Sequence, residues 1–410
     1  MIPLRVDELP RLGELDAHAD EITGVQVDSR RIEHGDLFVA VGRGAEFRNE
    51  ALGRGAAATL LPDRPFEAFA ALGSLVRDRS DARVVGITGS TGKTSTKDIL
   101  AALCAPAART VAAEASFNNE IGVPLTLCRL EPDTEVCILE LAMRGFGQIA
   151  ELCRIARPQV GVITNVGPVH LELVGDLEGV QRAKGELVAA LAAGGTAVVP
   201  EGFPVERDDI DVVHPPQPDA HREDGHTVVD GVSFNFTAEH QVANATTALA
   251  AFDALGLPRP ERVDVEFSPW RGEELPLPGG GLLINDAYNA NPVSMRAALA
   301  HLATTAGERR RVAILGDMAE LGPAAPAYHE EIGRELSQRG VDVLLAVGEL
   351  ARAYLDGAGD GVSVTRWVPD AETAATKVTE LVLPGDVVLV KASRALGLER
   401  VAEALAAVSA

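Results

Sequence analysis

The stretch 86–94 is the part of the chain whose residue types and spacing predict a definite chemistry. It reads Gly-Ile-Thr-Gly-Ser-Thr-Gly-Lys-Thr, follows a short apolar β-type run and precedes a helical pattern over 95–103. A strand, a glycine-rich turn and a helix start in this order direct backbone N–H groups at a bound phosphate. Lys93 would then reach the β- and γ-phosphates of a nucleotide, and the Thr94 hydroxyl would bind Mg²⁺.

The loop departs from the general phosphate-loop pattern at one position. That pattern has a glycine five residues before Gly92, where this chain has Ile87. The shorter form Thr-Gly-x-x-Gly-Lys-Thr remains, and an ordinary glycine-rich turn is the weaker alternative. The nucleotide-binding candidates of the loop are Gly89, Ser90, Thr91, Gly92, Lys93, Thr94 and Ser95.

Further candidates follow later apolar runs, at points where strands would end. Glu140 follows the run 136–139, and His170 follows the run 160–164 after a short connection. Ligands of open α/β sheets bind at the carboxyl ends of the strands, so both side chains are candidates for a site beside the phosphate loop. A carboxylate there would suit Mg²⁺, which prefers oxygen donors. A solvated glutamate and a structural histidine are the alternatives.

Three other residues of this part of the chain are ambiguous when taken alone. Lys184 lies in a predicted helix, where an exposed lysine is the ordinary interpretation. Asn118 and Asn119 precede Pro124 by a few residues, and they could either bind phosphate or cap a helix.

Three polar loops in the last third of the chain also follow predicted strands. They are residues 285–292, 316–322 and 391–394. Three such loops on one sheet edge exceed what turn formation requires, so we expect a second binding edge there.

The elements between these motifs predict an α/β fold built from two series of apolar strands and amphipathic helices. The first series has strands at 83–85, 136–139, 160–163 and 197–199 and helices at 147–156, 177–192 and 239–255. The second has strands at 282–284, 311–315, 341–347 and 386–390 and helices at 292–305, 327–338, 371–381 and 397–408. We expect 200–231 to be a loop with a short hairpin, and 256–260 to be a linker.

Bulk composition limits the classes of partner. A length of 410 residues favours two or three domains. The formal net charge of −23 argues against nonspecific binding of nucleic acid or anionic membranes, so we expect no nucleic-acid partner.

Cysteine usage and hydropathy predict a cytoplasmic protein. The four cysteines form no C-x-x-C pair, so we expect buried free thiols rather than a disulfide or a zinc site. The N-terminus lacks the pattern of a signal peptide, and no apolar run reaches the length of about 20 residues that a membrane span needs.

Several motifs resemble those of the Mur ligases, the family that builds the peptide stem of peptidoglycan and that also includes folylpolyglutamate synthetases. Stretch 86–94 is similar to the ATP loop that all members share. More specific similarity, to the branch that adds D-alanyl-D-alanine, lies in 117–124, 286–292, 315–322 with His329, and 390–394. The resemblance implies three α/β domains: a small UDP-sugar-binding domain over 1–81, a central P-loop ATPase domain with a parallel sheet over 82–256, and a Rossmann-like ligase domain over 257–410.

The resemblance also implies roles for individual residues. It assigns catalysis and two Mg²⁺ ions to Lys93, Thr94, Glu140, His170 and Lys184, with Lys184 matching a lysine that carries a carbamate. It implies nucleotide contacts at Asn244, Arg271, Asp286 and Tyr288. We expect substrate contacts at Ser29, Arg30, Asn118, Asn119, Asn289, Asn291, Lys391, Ser393 and Arg394.

The implied reaction joins a carboxylate to an amine at the expense of ATP. The terminal carboxylate of UDP-N-acetylmuramoyl-tripeptide would form an acyl phosphate, which the amine of D-Ala-D-Ala would attack. The third residue of the tripeptide, diaminopimelate or lysine, and the carbamylation of Lys184 stay open, and we expect a monomer.

Two other functions remain as alternatives. A different amide ligase of the same family, such as a polyglutamate-adding enzyme, would keep the fold, but the Asp-Asn-Pro-Arg motif of the amino-acid-adding branch is absent. A nucleotide-binding scaffold without turnover would suit the shortened loop at 42–48, which lacks the family's Asp-Gly-His. Intact Lys93, Glu140, His170 and Lys184 argue against it.

Overall fold

A computed structural model describes residues 1–407 as two compact units. The first unit contains residues 1–165, 182–235 and 244–266, and the second contains 166–181, 236–243 and 267–407. The three domains predicted from the sequence stay a prediction. None of the helices within residues 1–407 is long and apolar enough to cross a membrane.

A six-stranded parallel sheet forms the centre of the first unit. Its strands, in spatial order, are Asp211–Val213, Thr196–Val198, Val160–Ile163, Arg83–Thr88, Val136–Glu140 and Thr110–Ala112. The four predicted strands are confirmed. The edge strand Asp211–Val213 corrects the prediction that its segment is a loop. This strand, Asp-Val-Val, has only three residues and lies between acidic residues and a pair of prolines, so it does not stand out as an apolar run.

Helices cover this sheet, and two of them also run into the second unit. They are Pro65–Asp78, Lys93–Cys104, Gly122–Leu127, Gln148–Ala156, Leu177–Ala189 and Glu239–Ala254. The predicted helix 177–192 ends early, at Ala189. The four cysteines of this unit are buried and free, as predicted, and burial raises the pKa of each thiol to about 12.

Smaller sheets complete the first unit. One mixed sheet has the order Gly13–Ala17, Ala58–Pro62, Asp36–Val39, Gly24–Gln26 and is accompanied by the ladder Leu4–Arg5 with Glu21–Ile22. Another contains the predicted hairpin, Ala220–Glu223 with His226–Val229, then Val232–Phe234 and Arg262–Val263. Short helical segments are Val6–Glu8, Ser29–Arg31, Gly42–Phe47 and Arg48–Gly53.

The second unit contains its own six-stranded sheet, with one antiparallel edge strand. The spatial order is Glu273–Leu277, Gly281–Asp286, Val387–Lys391, Arg311–Gly316, Val343–Val347 and Val364–Val368. Neighbouring residues of a strand enter different cores: Ala313 and Leu315 belong to one, and Val312 and Ile314 to the other. Both faces are therefore covered, and the predicted second doubly wound fold is confirmed.

Helices on the two faces of this sheet largely follow the prediction. They are Pro292–Ala306, Ala325–Gln338, Arg352–Ala358, Ala371–Lys377 and Glu399–Ala407, with the short helix Leu171–Val174 and 3-10 turns at Pro278–Gly280, Gly322–Ala324, Gly359–Gly361, Val378–Glu380 and Arg394–Leu396. Helix Arg352–Ala358 and the two outer strands were not predicted. The predicted helix end at Val408 lies outside the described residues.

Helices Ala325–Gln338 and Arg352–Ala358 pack with their backbones in contact at Gly333 and Gly357. A Cβ added at Gly333 would clash with the carbonyl oxygen of Tyr354 and lie 3.0 Å from Cα of Gly357. The close approach places the Tyr354 hydroxyl so that it donates to the carbonyl of Gly316, 3.0 Å away, at the end of a central strand. Glycine at 333 thus helps to position the loop that follows this strand.

We expect Gly333→Ala to destabilise the protein. Alanine gains about 1 kcal/mol of helix propensity, but overpacking against backbone atoms costs about 1–3 kcal/mol and cannot be relieved by a rotamer change. The control is Gly185→Ala in helix Leu177–Ala189, where a Cβ would meet only Phe203 at 3.8 Å. Thermal unfolding should show a lower midpoint for Gly333→Ala and an unchanged or higher one for Gly185→Ala. Equal midpoints for the two variants would contradict the close crossing.

Candidate active site

The predicted phosphate loop lies between the central strand Arg83–Thr88 and helix Lys93–Cys104. Gly89 and Gly92 both have positive φ, +154° and +76°. A Cβ at Gly89 would clash with the Thr164 hydroxyl, and one at Gly92 would clash with the Asn244 side chain. Both glycines are therefore required by the turn and by the close approach of neighbouring side chains.

Two residues that the sequence analysis did not single out hold this loop in place. Asn165 accepts from the N–H of Thr91 at 2.9 Å and donates to its hydroxyl at 2.7 Å. The Thr164 hydroxyl donates to the Thr91 carbonyl, and the N–H of Ser90 donates to the Asn165 carbonyl at 3.1 Å. Thr164 and Asn165 are a polar pair directly after the predicted strand 160–163, and this position could have identified them from the sequence.

A buried network joins the loop to the neighbouring strand. Thr94 and Glu140 are each 1% exposed, and the Thr94 hydroxyl donates to Oε2 of Glu140 at 2.7 Å. Asn118 donates to Oε1 of the same carboxylate at 2.8 Å. Lys93 folds back over the loop, where its ammonium donates to the Gly89 carbonyl at 2.9 Å. Ser95 is buried in the first turn of the helix.

Lys184 is buried, contrary to the ordinary interpretation of a helix lysine. Its residue is 2% exposed within helix Leu177–Ala189. Burial, and then the positive charge of Lys93, lower the pKa of Lys184 well below its usual range. A larger fraction of this amine is therefore neutral near pH 7 than for an exposed lysine.

The donor set beside the loop suits Mg²⁺ held together with a nucleotide. Among residues 1–407, no group of three or more His, Cys, Asp or Glu side chains is placed to hold a metal ion. Thr94 and Glu140 instead supply a hydroxyl and one buried carboxylate. Mg²⁺ usually keeps several waters and binds one or two carboxylates together with substrate phosphates, so these residues fit the ion.

The remaining candidates of the first unit have local partners. Asn119 accepts from the N–H groups of Ile121 and Gly122 at 3.2 and 2.9 Å, so it caps the start of helix Gly122–Leu127. The Asn118–Asn119 pair is thus divided between the Glu140 network and a cap.

The other candidates of the first unit lie in different places. Ser29 is buried, whereas Arg30 is exposed and pairs with Asp28 at 2.7 Å. Asn244 lies against Gly92.

His170 belongs to the second unit, and there it contacts Glu320. Its Nδ1 is hydrogen-bonded to Oε2 of Glu320. Both residues have left-handed backbone conformations, with φ of +54° and +64°. The Glu320 carboxylate thus restrains the orientation of the imidazole through Nδ1.

The three polar loops that follow predicted strands in the last third of the chain lie at the carboxyl ends of three adjacent strands. Asp286 and Lys391 are paired in register, and the Lys391 ammonium donates to Asp286 at 2.6 Å and to the Asn289 carbonyl at 2.9 Å. Ser393 accepts from the N–H of Ala319 at 2.9 Å. Asn291 caps helix Pro292–Ala306 by accepting from the N–H of Ser294 at 3.0 Å.

Two arginines at this edge stack on aromatic rings. The guanidinium of Arg271 lies 3.8 Å from the ring centroid of Tyr288. That of Arg394 lies 4.5 Å from the ring centroid of Trp270, a residue that the sequence analysis did not select. Stacking reduces the freedom of both guanidinium groups.

A buried histidine supports the loop 316–322. His329 Nε2 accepts from the N–H of Met318 at 2.9 Å, and Nδ1 donates to the Ala325 carbonyl at 2.6 Å. Burial lowers the pKa of His329, in agreement with the neutral tautomer that these bonds require.

Comparisons with known proteins agree with these motifs. Family models match residues 87–214, described as Mur ligase middle domain, and residues 270–394, described as Mur ligase, glutamate ligase domain. A relative from Synechocystis sp., named UDP-N-acetylmuramoyl-tripeptide--D-alanyl-D-alanine ligase, is 33% identical over 94% of this chain and 92% of its own length.

Two solved structures are also similar. MurF from Acinetobacter baumannii has a TM-score of 0.80 at 27% identity, over 94% of this chain and 93% of that one. The MurF ligase of Thermotoga maritima in complex with ADP has a TM-score of 0.78 at 27% identity, over 93% and 96%. On this evidence the chain belongs to the Mur ligase family, in its MurF group.

Proposed function

We propose that this chain is an ATP-dependent amide ligase that adds D-alanyl-D-alanine to UDP-N-acetylmuramoyl-tripeptide in peptidoglycan precursor synthesis. The observation on which the proposal most depends is the buried bond between Thr94 and Glu140 beside the phosphate loop. The name of the Synechocystis relative supports the choice of substrates. The Thermotoga structure in complex with ADP supports an adenine nucleotide as a ligand.

The proposed reaction has two steps. An oxygen of the tripeptide's terminal carboxylate attacks the γ-phosphorus of ATP, the bond to the bridging oxygen breaks, and ADP leaves with the electron pair. The neutral amine of D-Ala-D-Ala then attacks the acyl carbon, the carbon–oxygen bond to phosphate breaks, and the nitrogen loses a proton. Lys93 and the loop N–H groups stabilise the charge that develops on the phosphates. The acyl phosphate must meanwhile be shielded from water.

Two Mg²⁺ ions form part of this proposal. Thr94 would hold one of them with the phosphates, Glu140 is the proposed carboxylate ligand, and His170 is proposed as a ligand on the family resemblance alone. When bound, Mg²⁺ supplies charge neutralisation and orientation of the γ-phosphate. The residues contribute hard oxygen donors and an imidazole already oriented by Glu320.

We further propose a carbamate on Lys184. The neutral amine would attack the carbon of CO₂, forming a nitrogen–carbon bond and releasing one proton. The product is an anion, which would suit a buried position beside Lys93 better than a second cation does.

The remaining assignments are proposals that follow the resemblance. Ser29 and Arg30 would bind the uridine nucleotide. Asn244, Arg271, Asp286 and Tyr288 would bind ATP. The other substrate contacts would come from Asn118, Asn119, Asn289, Asn291, Lys391, Ser393 and Arg394. A monomer in the cytoplasm, without a nucleic-acid partner, completes the proposal.

Phosphate release in the presence of each substrate tests the function. With ATP and Mg²⁺, we expect rapid release only when both UDP-N-acetylmuramoyl-tripeptide and D-Ala-D-Ala are present, because the acyl phosphate needs a carboxylate and an amine. The assay should be repeated with the diaminopimelate tripeptide and with the lysine tripeptide. Glutamate and other free amino acids should each be tested in place of D-Ala-D-Ala. Lys93→Ala should reduce kcat by at least about 100-fold. Release that is independent of either peptide substrate would refute the assignment.

Glu140→Gln tests the Mg²⁺ site. We expect the Mg²⁺ concentration for half-maximal activity to rise about 10- to 100-fold, since a buried anionic oxygen is replaced by a neutral amide. Titration calorimetry of ADP with and without Mg²⁺ should show the same loss without turnover. Glu151→Gln is the matched control, on the exposed face of helix Gln148–Ala156. An unchanged Mg²⁺ dependence in Glu140→Gln would exclude this carboxylate as a ligand.

Carbamylation of Lys184 predicts a labelled lysine. Protein equilibrated with ¹³C-bicarbonate near pH 8 should give a carbamate signal in ¹³C NMR, because the lowered pKa of Lys184 increases the neutral fraction of its amine. The signal should disappear on acidification and in Lys184→Arg. It should persist in the control Lys377→Arg, whose side chain is exposed. A signal retained in Lys184→Arg would place the carbamate elsewhere.

A further inference from the structure

Trp270 is a bulky residue held in a backbone conformation that glycine favours. Its φ is +62°, in the left-handed region. A side chain of this size is a rare outlier there, because Cβ crowds the following carbonyl. Since the strain opposes folding, something at this position must compensate for it.

Backbone hydrogen bonds hold the turn at Trp270 to the strand Gly281–Asp286 and its following loop. The Trp270 carbonyl accepts from the N–H of Tyr288 at 3.3 Å, and the N–H of Gly272 donates to the Asn285 carbonyl at 3.1 Å. The backbone of Trp270 is therefore held at the carboxyl end of the sheet, beside the loop that carries Asp286 and Tyr288.

The guanidinium of Arg394 stacks on this indole and keeps N–H groups that a ligand can bind. Its guanidinium is 4.5 Å from the ring centroid and pairs with Glu399 at 2.7 Å. The side chain is nevertheless 48% exposed. Within residues 1–407, Glu399 is the one protein acceptor for this guanidinium, so its other N–H groups can bind a ligand.

We propose that Trp270 is a positioning residue that orients Arg394 toward an anionic oxygen group of a substrate, a phosphate or a carboxylate. The indole contacts the guanidinium and Glu399 binds one of its N–H groups, so the remaining N–H groups can donate as a pair to an anionic oxygen group. Restraint before binding reduces the entropy that binding must remove. The inference rests on the proposed function for the identity of the substrates.

A double-mutant cycle tests the inference. The Michaelis constants for ATP, UDP-N-acetylmuramoyl-tripeptide and D-Ala-D-Ala are measured for the wild type, Trp270→Gly, Arg394→Ala and the double variant. We expect Trp270→Gly to raise the KM of at least one substrate about 2- to 30-fold, the range of a lost cation–π contact. In the Arg394→Ala background the same change should have no further effect on KM. A rise for ATP identifies phosphate, and a rise for D-Ala-D-Ala identifies carboxylate.

Folding controls separate positioning from a structural role. Glycine relieves the strained φ, so the thermal midpoint of Trp270→Gly should be unchanged or higher even though KM rises. Trp270→Phe keeps an aromatic platform and should restore most of the lost affinity. In Trp367→Phe, Trp270 is the one remaining tryptophan, and its fluorescence should change when Arg394 is replaced by alanine.

Distinct results would overturn the inference. Unchanged KM values for all three substrates in Trp270→Gly, or an equal rise in the Arg394→Ala background, would show that Trp270 does not act through Arg394. If the wild type shows no turnover, the proposed function fails instead. In that case, titration calorimetry measures the dissociation constants of the three substrates for the same four proteins. A dissociation constant that Trp270→Gly raises only when Arg394 is present supports the inference, and unchanged constants overturn it.

Discussion

The parallel pairing of strand Arg83–Thr88 with a strand on each side is the constraint on which the nucleotide site depends. On one side, Ile87 is in register with Glu140, and on the other Thr88 is in register with Ile163. The carboxylate that binds Thr94 and the Thr164–Asn165 pair that holds the loop are therefore both placed by sheet register. A shift of one residue in either pairing would turn these side chains to the opposite face of the sheet.

The second unit uses the same constraint for a different purpose. Its three adjacent strands end in polar loops, and the register of Asp286 with Lys391 forms a partly buried ion pair between two of them. His329 and Tyr354 hold the third loop, residues 316–322, by hydrogen bonds to its backbone. Gly333 permits the close approach of the helix that carries Tyr354. Arginines stacked on Tyr288 and Trp270 then present cationic groups at an edge whose backbone is already fixed. Such an edge suits the binding of anionic substrates.

Local patterns predicted most of the fold and the phosphate loop, because a strand, a glycine turn and a helix start are encoded by neighbouring residues. The edge strands were harder to recognise. Glu273–Leu277 contains two glutamates and a proline, and Val364–Val368 contains threonine and arginine, so neither reads as an apolar run. The burial of Lys184, the His170–Glu320 contact and the Trp270–Arg394 stack join residues from different elements. Such contacts depend on tertiary packing, which periodicity does not reveal.

We propose that the protein activates a carboxylate as an acyl phosphate before the amide forms. Oxygen transfer tests this most directly. UDP-N-acetylmuramoyl-tripeptide labelled with ¹⁸O in its terminal carboxylate is converted in the presence of ATP, Mg²⁺ and D-Ala-D-Ala, and the released phosphate is analysed by mass spectrometry. Because the attacking carboxylate oxygen stays with phosphorus when the acyl phosphate breaks down, each released phosphate should carry one ¹⁸O atom if both carboxylate oxygens are labelled. Amide formation accompanied by unlabelled phosphate would contradict it.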